Sequence, residues 1–173
     1  MRALAFFSAL LVSATAGAQV RFDAGVLGSF QQRFGAIAEG GALTLDGHVA
    51  IFPLLRVGAW ATAEASKPID APSVRGIFGG GVRLKIVPPW PRGVWRAWLA
   101  TGFGYDGLAS DAGGGGFFEV PAILGASYRI RKPWVFLMEL AARPAFGFWG
   151  SYYERAPGDV LSVSLSFGFG LDG

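Results

Sequence analysis

The stretch 160–171, VLSVSLSFGFGL, most constrains how this chain folds. Its odd positions carry large apolar side chains from Leu161 to Leu171, and its even positions carry only serine and glycine from Ser162 to Gly170. Such strict alternation indicates one long β-strand with an apolar face and a small, polar face. Ordinary strands have about 5–6 residues, whereas a strand that crosses a bilayer needs about 9–11. This segment is therefore long enough to cross a membrane, and its apolar face is uncharged.

Seven further segments alternate with the same period, some less strictly. The predicted strands are 20–30, 42–52, 55–66, 73–86, 94–105, 117–130, 134–146 and 160–171. Pro121 removes one ladder donor from the sixth segment and predicts a bulge or bend there. The 27 glycines and 10 prolines argue against a helical fold. The sequence predicts an all-β fold, an eight-stranded antiparallel up-and-down transmembrane β-barrel.

The predicted connections alternate between short and long. The short ones lie near Pro53, Pro88 and Pro133. The long ones are 31–41, 66–73, 106–116 and 147–159. Short periplasmic turns and long external loops are typical of outer-membrane barrels, and an even strand count puts both termini on the periplasmic side.

The charged residues of the predicted strands fall on the face opposite the apolar one. A membrane barrel turns its apolar face outward and its polar face inward, whereas a lipocalin-like soluble barrel does the reverse. Long, uniform strands with aromatic residues near their ends, such as Trp95 and Trp134, favour the membrane barrel. Because eight strands enclose an interior just wide enough for side chains, we predict an internal polar network and no wide pore. Its predicted members are Arg21, Asp23, Asp46, His48, Arg56, Glu64, Arg75, Arg83, Arg96, Glu119, Arg129, Glu139 and Arg143. Glycines on the same face, such as Gly79 and Gly104, are expected to leave room beside the arginines.

Residues 1–18 have the pattern of a secretory signal peptide. Arg2 precedes an apolar core at 3–12, and Ala16-Gly17-Ala18 forms a small-residue cleavage site. We predict a cleaved signal peptide at 1–18 and a barrel domain at 19–173. The chain has 15 basic and 12 acidic residues with no basic cluster, which gives no indication of nucleic-acid binding. It has no cysteine, so it has neither disulfides nor a lipid-anchored cysteine.

With this signal peptide, strand alternation, connection pattern and last strand, the mature chain resembles the small eight-stranded outer-membrane β-barrels of the OmpA/OmpX type. The resemblance is one of architecture. It implies residence in the bacterial outer membrane as a monomer, with outer-membrane lipid and the barrel assembly machinery as partners. Family members usually end on an aromatic residue, whereas this chain ends Phe169-Gly170-Leu171-Asp172-Gly173.

Other motifs give little support for a chemical site. The segments 102–107 and 168–173 match G-x-G-x-x-G, but a dinucleotide site needs a following helix, and a glycine-rich stretch and the chain end follow instead. His48 is the single histidine, with Asp46 as a candidate polarising partner, and no serine is placed beside it. We therefore predict no catalytic residue, no cofactor and no metal site. The aromatic residues of 147–159 are interpreted as part of the outer aromatic girdle rather than as a partner-binding surface.

The sequence thus favours a non-enzymatic outer-membrane barrel with a structural or loop-mediated interaction role. Two alternatives stay open at this point. One is a carrier that passes small solutes along a narrow path, and the other is an enzyme that modifies membrane lipid.

Overall fold

The computed structural model describes residues 21–35, 37–69, 73–88, 93–111, 113–154, 158 and 160–173. The predicted signal peptide at 1–18 lies outside these residues. The strands are β1 (Phe22–Phe34), β2 (Ala38–Ala50), β3 (Leu55–Pro68), β4 (Arg75–Ile86), β5 (Trp95–Ser110), β6 (Gly113–Glu119), β7 (Ala122–Arg131), β8 (Trp134–Trp149) and β9 (Leu161–Asp172). No helix among the described residues is long and apolar enough to span a bilayer.

The strands form a closed antiparallel ring of eight positions. Each of β1 to β5 pairs with the next, β6 and β7 together occupy the position between β5 and β8, and β9 pairs with both β8 and β1. The β1–β9 ladder runs from Asp23 opposite Asp172 to Phe34 opposite Leu161. The predicted up-and-down barrel is confirmed, and its last strand closes it.

Pro121 interrupts the sixth position without shifting its register. Gly104 pairs with Glu119 on one side of the break, and Thr101 pairs with Ala122 on the other. The two strands therefore have the same number of residues between these pairs, and neither has an extra one. The bulge lies elsewhere: the β6–β8 register shifts beside Gly147, which has a φ of 67°. Glycine is suited to this conformation, and an extra residue there bends β8.

Two predicted long connections are wrong. The segments 31–41 and 106–116 shrink to 35–37 and 111–112, while the supposedly short connection near Pro88 spans 87–94; the connection predicted at 66–73 lies at 69–74. Glycines that suggested loops are paired instead, such as Gly113 opposite Ser110 and Gly40 opposite Gln31. In a closed barrel each strand has a partner on both sides. Ladder hydrogen bonds therefore hold these glycine-rich segments in strand conformation, even where the strands continue past the apolar belt. The connection 150–160 remains long.

The pleat sorts side chains as the alternation predicts. In β9, Leu165 and Phe169 are 47% and 58% exposed on the outside, whereas Ser162 and Ser164 are each 1% exposed on the inside. The exposed outer side chains of the other strands are likewise mostly apolar. This inverted distribution is that of a transmembrane barrel.

Candidate functional site in the barrel interior

Charged side chains fill much of the lumen. The buried ones are Arg33, Arg56, Glu64, Arg75, Arg83, Lys85, Asp106, Glu119, Glu139 and Arg143. Burial of a charge is costly unless the charge is paired and hydrogen-bonded, so the geometry of the pairs decides how this interior is held together.

At the end of the barrel that carries the chain termini, Asp23 accepts contacts from three cationic or polar groups. Its Oδ1 lies 2.8 Å from His48 Nδ1, and its Oδ2 accepts hydrogen bonds from Arg56 and, at 3.1 Å, from Lys85 Nζ. The sequence proposed Asp46 as the partner of His48, but Asp46 Oδ2 is 3.9 Å from His48 Nδ1. Asp23 is the closer partner because it lies directly opposite His48 in the β1–β2 ladder.

Asp172 holds the same mouth from the last strand. It accepts a hydrogen bond from Arg96 and lies 3.5 Å from Arg56 Nη2 and 3.9 Å from Arg129 Nη2. These contacts join β9 to β3, β5 and β7 across the lumen. Asp172 was not among the predicted network residues, although it continues the inward parity of Ser162.

Three further ion pairs lie in the middle of the lumen. Arg83 Nη1 on β4 lies 3.1 Å from Asp46 Oδ2 and 3.5 Å from Glu139 Oε1, which is on the far wall. Arg143 Nη1 donates to Glu119 Oε1 at 3.2 Å, and its guanidinium lies over the Trp60 ring. Side chains from opposite walls therefore meet at the axis.

The other end of the barrel, which we call the far end, has an ion pair and a polar clamp. Arg33 donates to both carboxylate oxygens of Glu64, at 2.7 and 2.5 Å. Arg75 donates to Ser66 Oγ at 2.9 Å and to the Tyr152 hydroxyl at 3.1 Å. Arg33 was missed from the sequence because 31–41 was predicted to be a loop.

An aromatic plug caps the far end. We use this term for Tyr152, Tyr153 and Phe148 together with Phe117 beneath them. Tyr152 and Phe117 are buried, and the Phe148 and Tyr153 rings are 4.9 Å apart. The predicted girdle location of the 147–159 aromatics is therefore wrong for these side chains. Trp149 alone among them is exposed on the outside, where it stacks on Tyr105.

The terminal half of the lumen also contains an apolar cluster. Its buried members are Leu27, Trp98, Ala100, Ile123, Val135, Leu137 and Ala141. A cavity of about 30 Å³ lies between this cluster and the Asp23 network. That volume is on the scale of a single water molecule.

Inward glycines make room for tryptophans and for Asp106, and not for the arginines as the sequence suggested. A Cβ at Gly104 would collide with the Trp60 ring, one at Gly125 with Trp98, and one at Gly79 with the Asp106 carboxylate. Asp106 is itself buried against Glu119.

Comparison with known proteins finds solved structures of similar architecture. No protein-family model matches the chain, and no curated protein matches it. The structure is similar to that of Neisserial surface protein A, with 13% identity, a TM-score of 0.71, and coverage of 88% of this chain and 97% of that one. It is also similar to a major outer membrane protein from Thermus thermophilus (11% identity, TM-score 0.58, 88% and 99% coverage) and to OprG from Pseudomonas aeruginosa (12%, 0.56, 90% and 96%).

The chain has the fold of the small outer-membrane β-barrels. This fold agrees with the resemblance predicted from the sequence. In this barrel, the predicted network residues other than Arg21 point into the lumen or its mouths. Arg21 is exposed and precedes β1, while Arg96 and Arg129 are half-exposed at the terminal mouth.

The described residues give no sign of a cofactor or metal centre. They contain no cluster of three or more histidines or carboxylates arranged to hold a metal ion. Both G-x-G-x-x-G matches involve strand residues, in β5 and at the end of β9, where no helix N-terminus is available for a phosphate.

Proposed function

We propose that this protein is a closed integral barrel of the bacterial outer membrane that acts by presenting its far end outside the cell. Its export would use the signal peptide at 1–18, its insertion the barrel assembly machinery, and it would function as a monomer. The observation that best supports this proposal is the closed lumen. Ion pairs cross the lumen at more than one height, and Tyr152 caps it. This favours a structural or interaction role over passage of solutes.

The closed state is tested by electrical recording. Refolded protein in planar bilayers should conduct far less than a porin does. Heat-modifiable migration on a gel checks that the barrel has folded. A porin-like conductance would contradict the closed barrel, and a soluble chain whose unboiled form migrates like the boiled one would contradict the membrane barrel itself.

The orientation is tested with single cysteines, because the natural chain has none. Asp111 is exposed at the far end, and Arg131 is exposed at the terminal end. In intact cells, a membrane-impermeant maleimide should label the Asp111→Cys variant and leave the matched Arg131→Cys variant unlabelled. The reverse pattern would place the termini outside.

We also propose that the protein is not an enzyme. His48 is fully enclosed, with its side chain 0% exposed and hydrogen-bonded to Asp23. It cannot meet a lipid substrate from that position. Mass spectra of lipid A should therefore be identical in cells that express the natural protein and its His48→Ala variant, and a modification that depends on His48 would refute this.

A further inference from the structure

We propose that the terminal end of the barrel docks on the headgroups of anionic phospholipids in the inner leaflet of its membrane. This inference rests on the proposed orientation and adds the class of lipid and the residues that select it. The surface is the basic rim, which we define as Arg21, Arg96, Arg129, Arg131 and Lys132.

The basic rim follows neighbouring strand ends. The Pro133 carbonyl accepts a hydrogen bond from Asp172 N at 2.8 Å, and the Phe22 carbonyl accepts one from Gly173 N at 2.9 Å. The ends of β8, β9 and β1 are thereby held side by side, with Arg131 and Lys132 before one and Arg21 before another. Strands in a sheet are about 4.8 Å apart, so these cations line one continuous edge.

Two of the rim cations, Arg96 and Arg129, contact Asp172, and the other three are not neutralised by the barrel. Arg21, Arg131 and Lys132 are exposed and have no ion pair with the described residues. The acidic groups at this end, Asp23 and Asp172, are directed into the lumen networks described above. At the far end, the balance is opposite: the exposed charged residues there, within the described part of the chain, are Glu39, Lys67, Asp111 and Glu154.

The outer surface beside the rim is built for a lipid headgroup region. Trp95 and Tyr128 are exposed there with ring centroids 4.9 Å apart, and Trp134 is exposed on the next strand. Tryptophan and tyrosine favour the headgroup level of a membrane. Guanidinium groups bind phosphate oxygens through paired hydrogen bonds, and basic residues near an anionic surface attract it.

The remainder of this end favours lipid over a water-exposed polymer. The β2–β3 turn presents Ile51, Phe52 and Leu54, which are 51%, 64% and 43% exposed. An apolar turn beside a basic rim suits the boundary between headgroups and acyl chains. The carboxylates of a cell-wall polymer would satisfy the arginines but would leave this apolar turn in water.

The test compares two brominated lipids as quenchers of tryptophan fluorescence. The barrel is inserted into phosphatidylcholine vesicles that contain increasing fractions of brominated phosphatidylglycerol or brominated phosphatidylcholine. The natural protein should reach half-quenching at a several-fold lower fraction of brominated phosphatidylglycerol. The double variant Arg131→Gln/Lys132→Gln should lose most of this preference and reach half-quenching at nearly the same fraction of either brominated lipid. The matched Lys67→Gln variant, at the far end, should keep the preference.

Equal quenching by the two lipids, or a preference that the double variant retains, overturns the inference. So does co-sedimentation with purified peptidoglycan that depends on Arg131 and Lys132 in a protein without lipid preference. If the double variant lacks heat-modifiable migration, Arg21→Gln replaces it. Failure of the natural protein to insert into any vesicle contradicts the proposed function instead, so the two failures are distinguishable.

Discussion

The terminal mouth of the lumen is closed by ion pairs between strands, whereas the far mouth is closed by aromatic rings, two of which, Tyr152 and Tyr153, belong to a connection. At the terminal mouth, Asp23 and Asp172 bind side chains from most of the wall. At the far mouth, Tyr152 comes from the 150–160 connection and is held by Arg75. The first closure is formed by side chains of the paired strands themselves. The second is an addition that can be removed while every strand remains paired.

This difference predicts that the two mouths fail in different ways. Loss of Asp23 removes an ion-pair partner from two buried cations, Arg56 and Lys85, and weakens the whole barrel. Loss of the plug exposes the lumen to water at one end, where Arg75 and Arg33 can be hydrated. Four substitutions separate these effects.

The largest effect is expected from Asp23→Ala. It removes the acceptor shared by His48, Arg56 and Lys85, and breaking a buried ion pair from one side should lower the free energy of unfolding by about 4 kcal/mol. The measurement is a urea titration of the barrel in phosphatidylcholine vesicles. As a control, Glu39→Ala removes an exposed carboxylate from β2 and should change the value by about 0.5 kcal/mol or less. Equal losses in the two variants would show that the Asp23 network does not hold the barrel together.

Tyr152→Ala is expected to have the next largest effect. Truncation of a buried aromatic ring should cost about 3 kcal/mol in the same titration. It should also admit water and small ions into the far half of the lumen, which would appear as a small rise in planar-bilayer conductance. A loss of stability with no change in conductance would mean that the ion pairs below the plug already seal the barrel.

Gly125→Ala tests the packing of the terminal half without removing a charge. The new Cβ would collide with the Trp98 indole, which lies 4.1 Å from Lys85 Nζ as measured to the ring centroid. Overpacking of this kind should cost about 2 kcal/mol. The same change at Gly28, where a Cβ would meet nothing within 4 Å, provides the matched control and should cost about 0.5 kcal/mol or less. Similar values for the two would indicate that Trp98 moves freely.

The sequence predicted the wall of this barrel better than its contents. Alternation assigns inward and outward faces residue by residue, so the sequence pattern alone places Ser162 inside and Leu165 outside. It does not identify the partner of His48, because residues two apart on a strand are about 6.6 Å apart while direct cross-strand partners are about 5 Å apart. Finding Asp23 requires the register between strands, which alternation does not contain.

The missed residues have a related cause. Arg33 and Asp172 lie at strand ends, where glycine and polar residues suggested loops or the end of the chain. Their inward parity is visible once the first predicted strand is extended by three residues and the last by one. Tyr152 has no such signal, because a connection without a period does not specify which of its aromatic rings turn inward.

The smallest effect is expected from Tyr152→Phe, and it sharpens the contrast between the two closures most directly. This change keeps the ring against Tyr153 and removes only the hydroxyl that accepts from Arg75. Arg75 keeps its hydrogen bond to Ser66, so the loss should be about 1 kcal/mol, with conductance unchanged. If Tyr152→Phe instead matched Tyr152→Ala in both measurements, the far mouth would be closed by the polar clamp rather than by the rings. The two ends of the lumen would then be sealed by the same polar chemistry.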